Sequence, residues 1–195
     1  MATKGGERVE KGAVVCLGFF DGVHRGHLAL VEAAKHVAAE KGLILCAHTF
    51  SSAPGKAGES LTSLPERIEL LRAAGAEQVF VSPFDEQMRR MSGPDFFEGV
   101  LLHQLHARHL VCGDDHRFGY RGAWGVEDLR RMCDENGVGL TVVPPVTLPN
   151  GQKISTTALR AALSRRDWQA AREMLGREIP RELMERFQAP EAETK

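Results

Sequence analysis

The chain has 195 residues, of which 43% are hydrophobic and 26% charged, with a formal net charge of -1. That length suits one domain with its own core. The near-neutral balance gives no general attraction for nucleic acid or an anionic membrane. No stretch approaches the length of a membrane span, and the opening MATKGGERVEKG lacks the apolar centre of a signal peptide.

The elements read in chain order as alternating strands and helices. AVVCLG, residues 13–18, is a continuous apolar run, as in a strand covered on both faces. Residues 28–41 carry Leu28, Val31, Ala34 and Val37 at helical spacing, with Gly42 as the stop. LILCAHTF, 43–50, is a second strand. Residues 51–62 are small, polar and glycine-bearing, and read as a mobile loop. A helix over 64–74, a strand at QVFVS (78–82) and a helix opened by Ser92-Gly-Pro-Asp95 and running to about Leu105 follow. Then come a strand over 109–113, a helix over 126–136 ended by Gly137, and a strand in GLTVVPP, 139–145. Asn150-Gly151 marks a turn. Two short helices follow at 156–164 and 167–175, the second capped by Asp167 and stopped by Gly176. Strands separated by helices imply an α/β fold: a Rossmann-like open, mostly parallel five-stranded sheet with helices on both faces and small helices at the C-terminal end. We expect one domain over 1–187 with its core at 13–176, and a frayed tail at 188–195.

Cys16, Cys46, Cys112 and Cys133 form no C-x-x-C pair, and three lie in apolar runs. They read as reduced core thiols of a cytosolic protein, not as a disulfide frame or zinc site.

The segment LGFFDGVHRGH, 17–27, falls between the first strand and its helix, where open parallel sheets bind ligands. Gly18, Gly22 and Gly26 let backbone approach a ligand. The helix N-terminus suits phosphate. His24 and His27, three apart, face the same way and offer paired donors to a phosphate oxygen that gains charge in a transition state. No P-loop and no G-x-G-x-x-G occurs.

GFFDGVHRGH resembles the signature of the nucleotidyltransferases with an H-x-G-H motif. Its F-D-G-V-H form is similar to the FAD synthetase (FMN adenylyltransferase) module of the bacterial riboflavin kinase/FAD synthetase family. LTSLPERIELL, VCGDDHRFG, ISTTALRAAL and AAREMLGR resemble further segments of that module, so the likeness runs from about Val14 to Gly176. The resemblance implies transfer of the AMP moiety of ATP to FMN, giving FAD and pyrophosphate, with Mg²⁺ assisting. It implies catalytic roles for His24, His27 and Arg160. ATP would be held by Gly18, Phe19, Phe20, Asp21, Gly26, His27, Asp115, Ser155, Thr156, Thr157 and Arg160. Phe50, Ser51, Arg117 and Phe118 would lie on the flavin side, and Asp115 would help place Mg²⁺, with Asp114 its neighbour. Asp21 has an equal reading as the anchor of the glycine turn. For Ser155 to Arg160 the plainer reading is an ordinary helix cap with a surface arginine.

Three departures bear on the acceptor. The family follows its second strand with T-F-E-P-H-P, whereas this chain has TFSSAPGK. The phenylalanine of D-F-R-F-G is His116, and the glycine after FG comes late, at Gly125. The chain also ends soon after Gly176, which fits a stand-alone adenylyltransferase supplied with FMN from elsewhere. The alternatives are a nucleotidyltransferase with another phosphorylated acceptor and a non-catalytic nucleotide- or flavin-binding module. His103, His106 and His109 are spaced like a metal face but read as a solvated helix side running into a strand. RRDWQAAR is too short and too amphipathic to be a nucleic-acid site. Phe96 and Phe97 read as core.

Overall fold

The computed structural model of the protein describes residues 3–4, 12–53 and 60–188. Five strands carry the sheet: β2 (Ala13–Leu17), β3 (Ile44–Phe50), β4 (Gln78–Ser82), β5 (Ala107–Gly113) and β6 (Gly139–Val143). A two-residue strand, β1 (Thr3–Lys4), adds a sixth that the sequence reading did not contain. The order is β1-β4-β3-β2-β5-β6 and every pairing is parallel. The order reverses direction between β2 and β5, the switch point at which such sheets open a crevice beyond their carboxyl ends.

Alternating side chains of β2 divide the core. Val14 and Cys16 face the cluster built with helices α1 (Arg25–Lys41) and α2 (Leu64–Ala73). Ala13, Val15 and Leu17 face the cluster on the other side. That second cluster takes in α5 (Val126–Asn136) and the segment α4, which starts at Gly93–Asp95 and runs on as a π-helical stretch, Phe96–Gln104. Both sheet faces are therefore dry, which is why β2 reads as an unbroken apolar run.

Local chemistry sets the helix ends. Ser63 and Glu66 form a reciprocal capping box on α2. Gly42, Gly137 and Gly176 close their helices in the left-handed conformation. A short helix, α3 (Glu86–Arg90), capped by Asp85, was missed because its five residues bury nothing and leave no periodic pattern. Beyond β6, Leu148 and Gly151 close the Asn-Gly turn of a small hairpin whose bridge joins Thr147 and Lys153. Helices α6 (Thr156–Ser164) and α7 (Trp168–Leu175) then pack with α8 (Arg181–Gln188) around Leu159, Leu163, Met174 and Leu175. Helix α8 lies in a stretch to which the sequence reading gives no element, and residue 188 belongs to this helix and not to a tail. The loop expected at 51–62 and the tail expected at 188–195 lie outside the described residues at 54–59 and 189–195. All four cysteines are buried and unbridged. Among the described residues no helix is long and apolar enough to cross a membrane.

Candidate active site

The turn between β2 and α1 is strained and held from several sides. Phe20 and Val23 have φ of 58° and 39°, conformations costly for a side-chain-bearing residue and most of all for β-branched valine. Such strain persists only where surrounding bonds over-determine it. Here Arg177 donates to the carbonyls of Val23 (2.7 Å) and Gly22 (2.8 Å). The buried Asp21 carboxylate accepts from the Thr62 N–H at 3.1 Å and from Arg160 at 3.4 Å. Gly22 in turn donates to the Thr62 hydroxyl at 3.1 Å, and the Thr156 hydroxyl donates to the Asp21 carbonyl at 3.2 Å. The turn is thus pinned by α2's entrance and by the C-terminal helices.

His24 caps α1: its Nδ1 accepts the His27 N–H at 3.3 Å. An imidazole accepting through Nδ1 and neutral overall carries its proton on Nε2. Burial holds it neutral, pushing its pKa down to about 4. Burial, with His24 beside it, puts the His27 pKa well below its usual value. The two rings stack, 3.7 Å between centroids and 14° from parallel. Gly26 makes the room, since a Cβ there would stand 3.1 Å from the His24 ring.

Two cavities meet above the strand ends, sharing Leu17, Gly18 and His116. The smaller, about 260 Å³, lies at the switch point. It is lined by Gly18, His24, Gly26, His27, Asp114, Asp115, Ser155 and Thr156, as the sequence predicts, and also by Lys153. Ser155 caps α6, its hydroxyl accepting the Ala158 N–H at 3.1 Å. The larger, about 610 Å³, is aromatic and sulfur-rich, with Phe19, Phe50, Phe84, Phe96, Phe118, Met88 and Met91 on its walls. Arg117 lines it while donating to the Gly122 and Ala123 carbonyls.

Several expected residues sit elsewhere. Phe20 is wholly buried under Gly18 and meets the His27 ring edge-on, so it supports the histidine and offers no surface to a nucleotide. Phe19 belongs to the larger cavity, not to the nucleotide side. Asp21 anchors the turn, the second of its two readings. Arg160 is engaged by that carboxylate and, like Thr157 and Ser51, lines neither cavity. Ser51 instead accepts the Phe84 N–H. Asp115 is paired with Lys153 at 2.8 Å, which keeps its carboxyl below the usual range. A carboxylate bonded to an ammonium does not fit a resident Mg²⁺, and among the described residues no group of three His, Cys, Asp or Glu is gathered for a metal. His109 bonds Thr141 at 2.8 Å, separate from His103 and His106.

The sequence reading missed four contributors. His48 is buried in β3, bonded to Ser82 at 2.9 Å, and lines the larger cavity; a histidine inside an apolar strand was its signal. His116 lines both cavities. Arg67, nearly inaccessible, donates to the Phe50 carbonyl at 2.8 Å and stacks 4.2 Å from the Phe19 ring centre. It fixes two walls of the cavity from beneath. Lys153 had no sequence signal at all.

A parallel sheet with this strand order and a histidine-lined cleft at its switch point defines an α/β fold of the nucleotidyltransferase type. The family model described as FAD synthetase matches residues 6–158, and the chain belongs to that family. It is 33% identical over 170 residues to a bifunctional riboflavin kinase/FMN adenylyltransferase of Listeria monocytogenes, covering 84% of this chain and 53% of the relative. It is 31% identical over 173 residues to the protein of the same name in Bacillus subtilis, with 84% and 53% covered. The chain spans about half the length of the curated relatives it matches. A solved structure described as a macrolide-efflux protein from Streptococcus pneumoniae superposes with a TM-score of 0.77 at 28% identity, covering 88% of this chain and 57% of that one. Pantoate-beta-alanine ligase from Francisella tularensis, with a TM-score of 0.50 at 15% identity over 91% of this chain and 76% of that one, shares the fold.

Proposed function

We propose that the chain transfers the AMP moiety of ATP to FMN, forming FAD and pyrophosphate. The observation that carries this reading is the junction of the two cavities at Gly18. A polar cleft with two neutral imidazoles opens directly onto a large aromatic chamber. One suits a nucleotide's phosphates and the other a flat heteroaromatic ring.

An oxygen of the FMN phosphate attacks the α-phosphorus, and the bond to the pyrophosphate oxygen breaks. Both reactants are anions, so alignment and charge stabilisation carry the catalysis. The His24 Nε2–H and the His27 ring face the phosphates as neutral donors. Neutral donors bind developing negative charge without a prior proton transfer. Ser155, Thr156 and the start of α6 receive the departing phosphates. Asp21 and Arg160 act one layer out, keeping the turn rigid.

Incubation with ATP, Mg²⁺ and FMN, following FAD by chromatography and pyrophosphate by a coupled assay, tests this. FAD formed with matching pyrophosphate is the expected result. Pyrophosphate released only with a different phosphorylated acceptor, or ATP bound without turnover on any acceptor, overturns it.

A further inference from the structure

We propose that His48 determines which ring the larger chamber accepts: its Nδ1–H donates a hydrogen bond to a ring nitrogen or ring carbonyl of the heteroaromatic acceptor, in a tautomer fixed by Ser82. The assignment rests on that chamber holding the acceptor's ring, as argued above.

The tautomer follows from counting protons. His48 is 1% exposed, and burial pushes its pKa down to about 3, so the ring is neutral and carries one proton. Its Nε2 lies 2.9 Å from the Ser82 hydroxyl. Ser82 is buried too, and among the described residues its hydroxyl has no other hydrogen-bond partner. Were Nε2 to donate, the serine proton would be buried without an acceptor, which is costly. With the serine donating, Nε2 accepts and the ring proton sits on Nδ1.

That leaves Nδ1 for a ligand. It bonds none of the described residues, yet it is not sealed away from solvent as the unpartnered Nε2 of His116 is. It therefore opens on the larger chamber, which His48 lines. Phe50 and Phe96 meet the imidazole edge-on, 4.9 and 5.4 Å between ring centres, and hold the donor in place. The charged groups on the chamber walls are Arg89, Arg117 and Arg121, and among the described residues no carboxylate lines it. A ring entering the chamber thus meets a fixed donor and no anionic acceptor. A ring edge bearing nitrogens or carbonyl oxygens satisfies that donor, whereas a hydrocarbon ring would cover it and leave it unpaired.

Binding of FMN, lumiflavin (the same ring with a methyl group in place of the ribityl phosphate) and ATP to the parent chain, H48F, H48Q and S82A, measured by calorimetry, tests the assignment. Nitrogen-15 NMR of the His48 ring, with and without FMN, reads the tautomer directly. H48F is expected to weaken FMN and lumiflavin by the same factor, about tenfold to a hundredfold, the range for leaving a buried acceptor without its donor. ATP binding changes little. H48Q, which keeps a donor, recovers part of the loss, and S82A weakens both flavins by a smaller factor. In the parent, Nδ1 carries the proton and its resonance moves when FMN binds. FMN affinity in a folded H48F within twofold of the parent overturns the proposal, as does an H48F that weakens FMN but not lumiflavin. Should H48F not fold, an Nδ1 that is unprotonated in the parent, or unmoved by FMN, overturns it. A parent that binds neither flavin overturns it too. A parent that binds FMN with the expected pattern but makes no FAD defeats the proposed reaction alone. A folded H48F that makes FAD with undiminished FMN affinity defeats the role of His48 alone.

Discussion

The rings of His24 and His27 lie stacked, and the acceptor that caps helix α1 is the ring nitrogen of His24 itself. One side chain thus serves the fold and the cleft together, and the two roles separate under substitution. His27→Ala removes the proposed phosphate donor without touching a cap. FAD formation should fall by about 10²–10³, the loss seen for one transition-state donor, with an unchanged circular dichroism spectrum. His24→Ala should lose activity similarly and also about 0.5–2 kcal/mol of stability, the usual range for a lost cap. His24→Asn restores an acceptor for the cap and should recover stability but not turnover. Full activity in His27→Ala would sink the phosphate-donor role.

Asp21, 3% exposed, carries a charge that the fold must neutralise. Arg160→Ala leaves this carboxylate with only the Thr62 donors. A buried acceptor stripped of a partner costs about 1–3 kcal/mol. Arg160→Ala should therefore lower the urea midpoint and raise the KM for ATP through loosening of the turn. Arg160→Lys should recover part of each. An Arg160→Ala variant with wild-type stability and a reduced kcat alone would return Arg160 to direct contact with the phosphates.

Arg177 offers a second handle on the same turn. It holds the carbonyls of Gly22 and Val23, the second a valine at φ 39°. Arg177→Ala should let that residue relax toward an ordinary conformation, at some loss of cleft geometry. The expected signature is a larger rise in KM for ATP than fall in kcat, with faster amide exchange at residues 22–24. Unchanged exchange would show that Asp21 and Thr62 suffice to hold the turn.

How much of this was legible in the sequence follows from the range of each interaction. Strands β2 to β6 and helices α1, α2 and α5 to α7 were readable because apolar spacing, glycine stops and capping residues are local. The pairing of His24 with His27 was readable for the same reason. Thr62 with Asp21, Arg177 with Gly22 and Lys153 with Asp115 join residues 38 or more positions apart, and nothing in either partner's neighbourhood announces the other. Phe20 and Phe19 show the limit most plainly. Adjacent in sequence and identical in type, they part because φ at Phe20 is positive, sending one ring into the core and the other to a cavity wall.

Acid should destabilise the fold through its buried histidines. Burial lowers the pKa of His48 to about 3 and those of His24 and His116 to about 4, against 6.5 for the exposed ring. Well above pH 6.5 both folded and unfolded chains hold these rings neutral, and their contribution is flat. Between 6.5 and 4 the unfolded chain takes up protons that the folded chain refuses, so stability falls as pH falls. Each ring adds at most about 1.4 kcal/mol per pH unit. Urea midpoints at pH 7.5, 6.5 and 5.5 should fall slightly across the first pair and steeply across the second. His48→Gln should make the drop shallower. A midpoint unchanged down to pH 5.5 would contradict neutral burial.

His116 is the residue at which this chain parts from the aromatic pattern of its family, and its Nε2 is buried with no hydrogen-bond partner. Its ring lies 14° from parallel with Phe118, so the site already has the shape of a phenyl stack. His116→Phe keeps that shape and removes an orphaned polar atom. Replacing such an atom by carbon returns the desolvation penalty, about 1–3 kcal/mol. The variant should therefore melt several degrees higher than the parent at pH 7 and show a shallower loss of stability in acid. Because His116 lines both cavities, the same variant reports on the acceptor. If FMN affinity falls while the melting temperature rises, the imidazole is kept for its ligand at the expense of the fold. If stability falls instead, Nε2 is bonded to an ordered water in solution, and the ring belongs to the wall of the chamber.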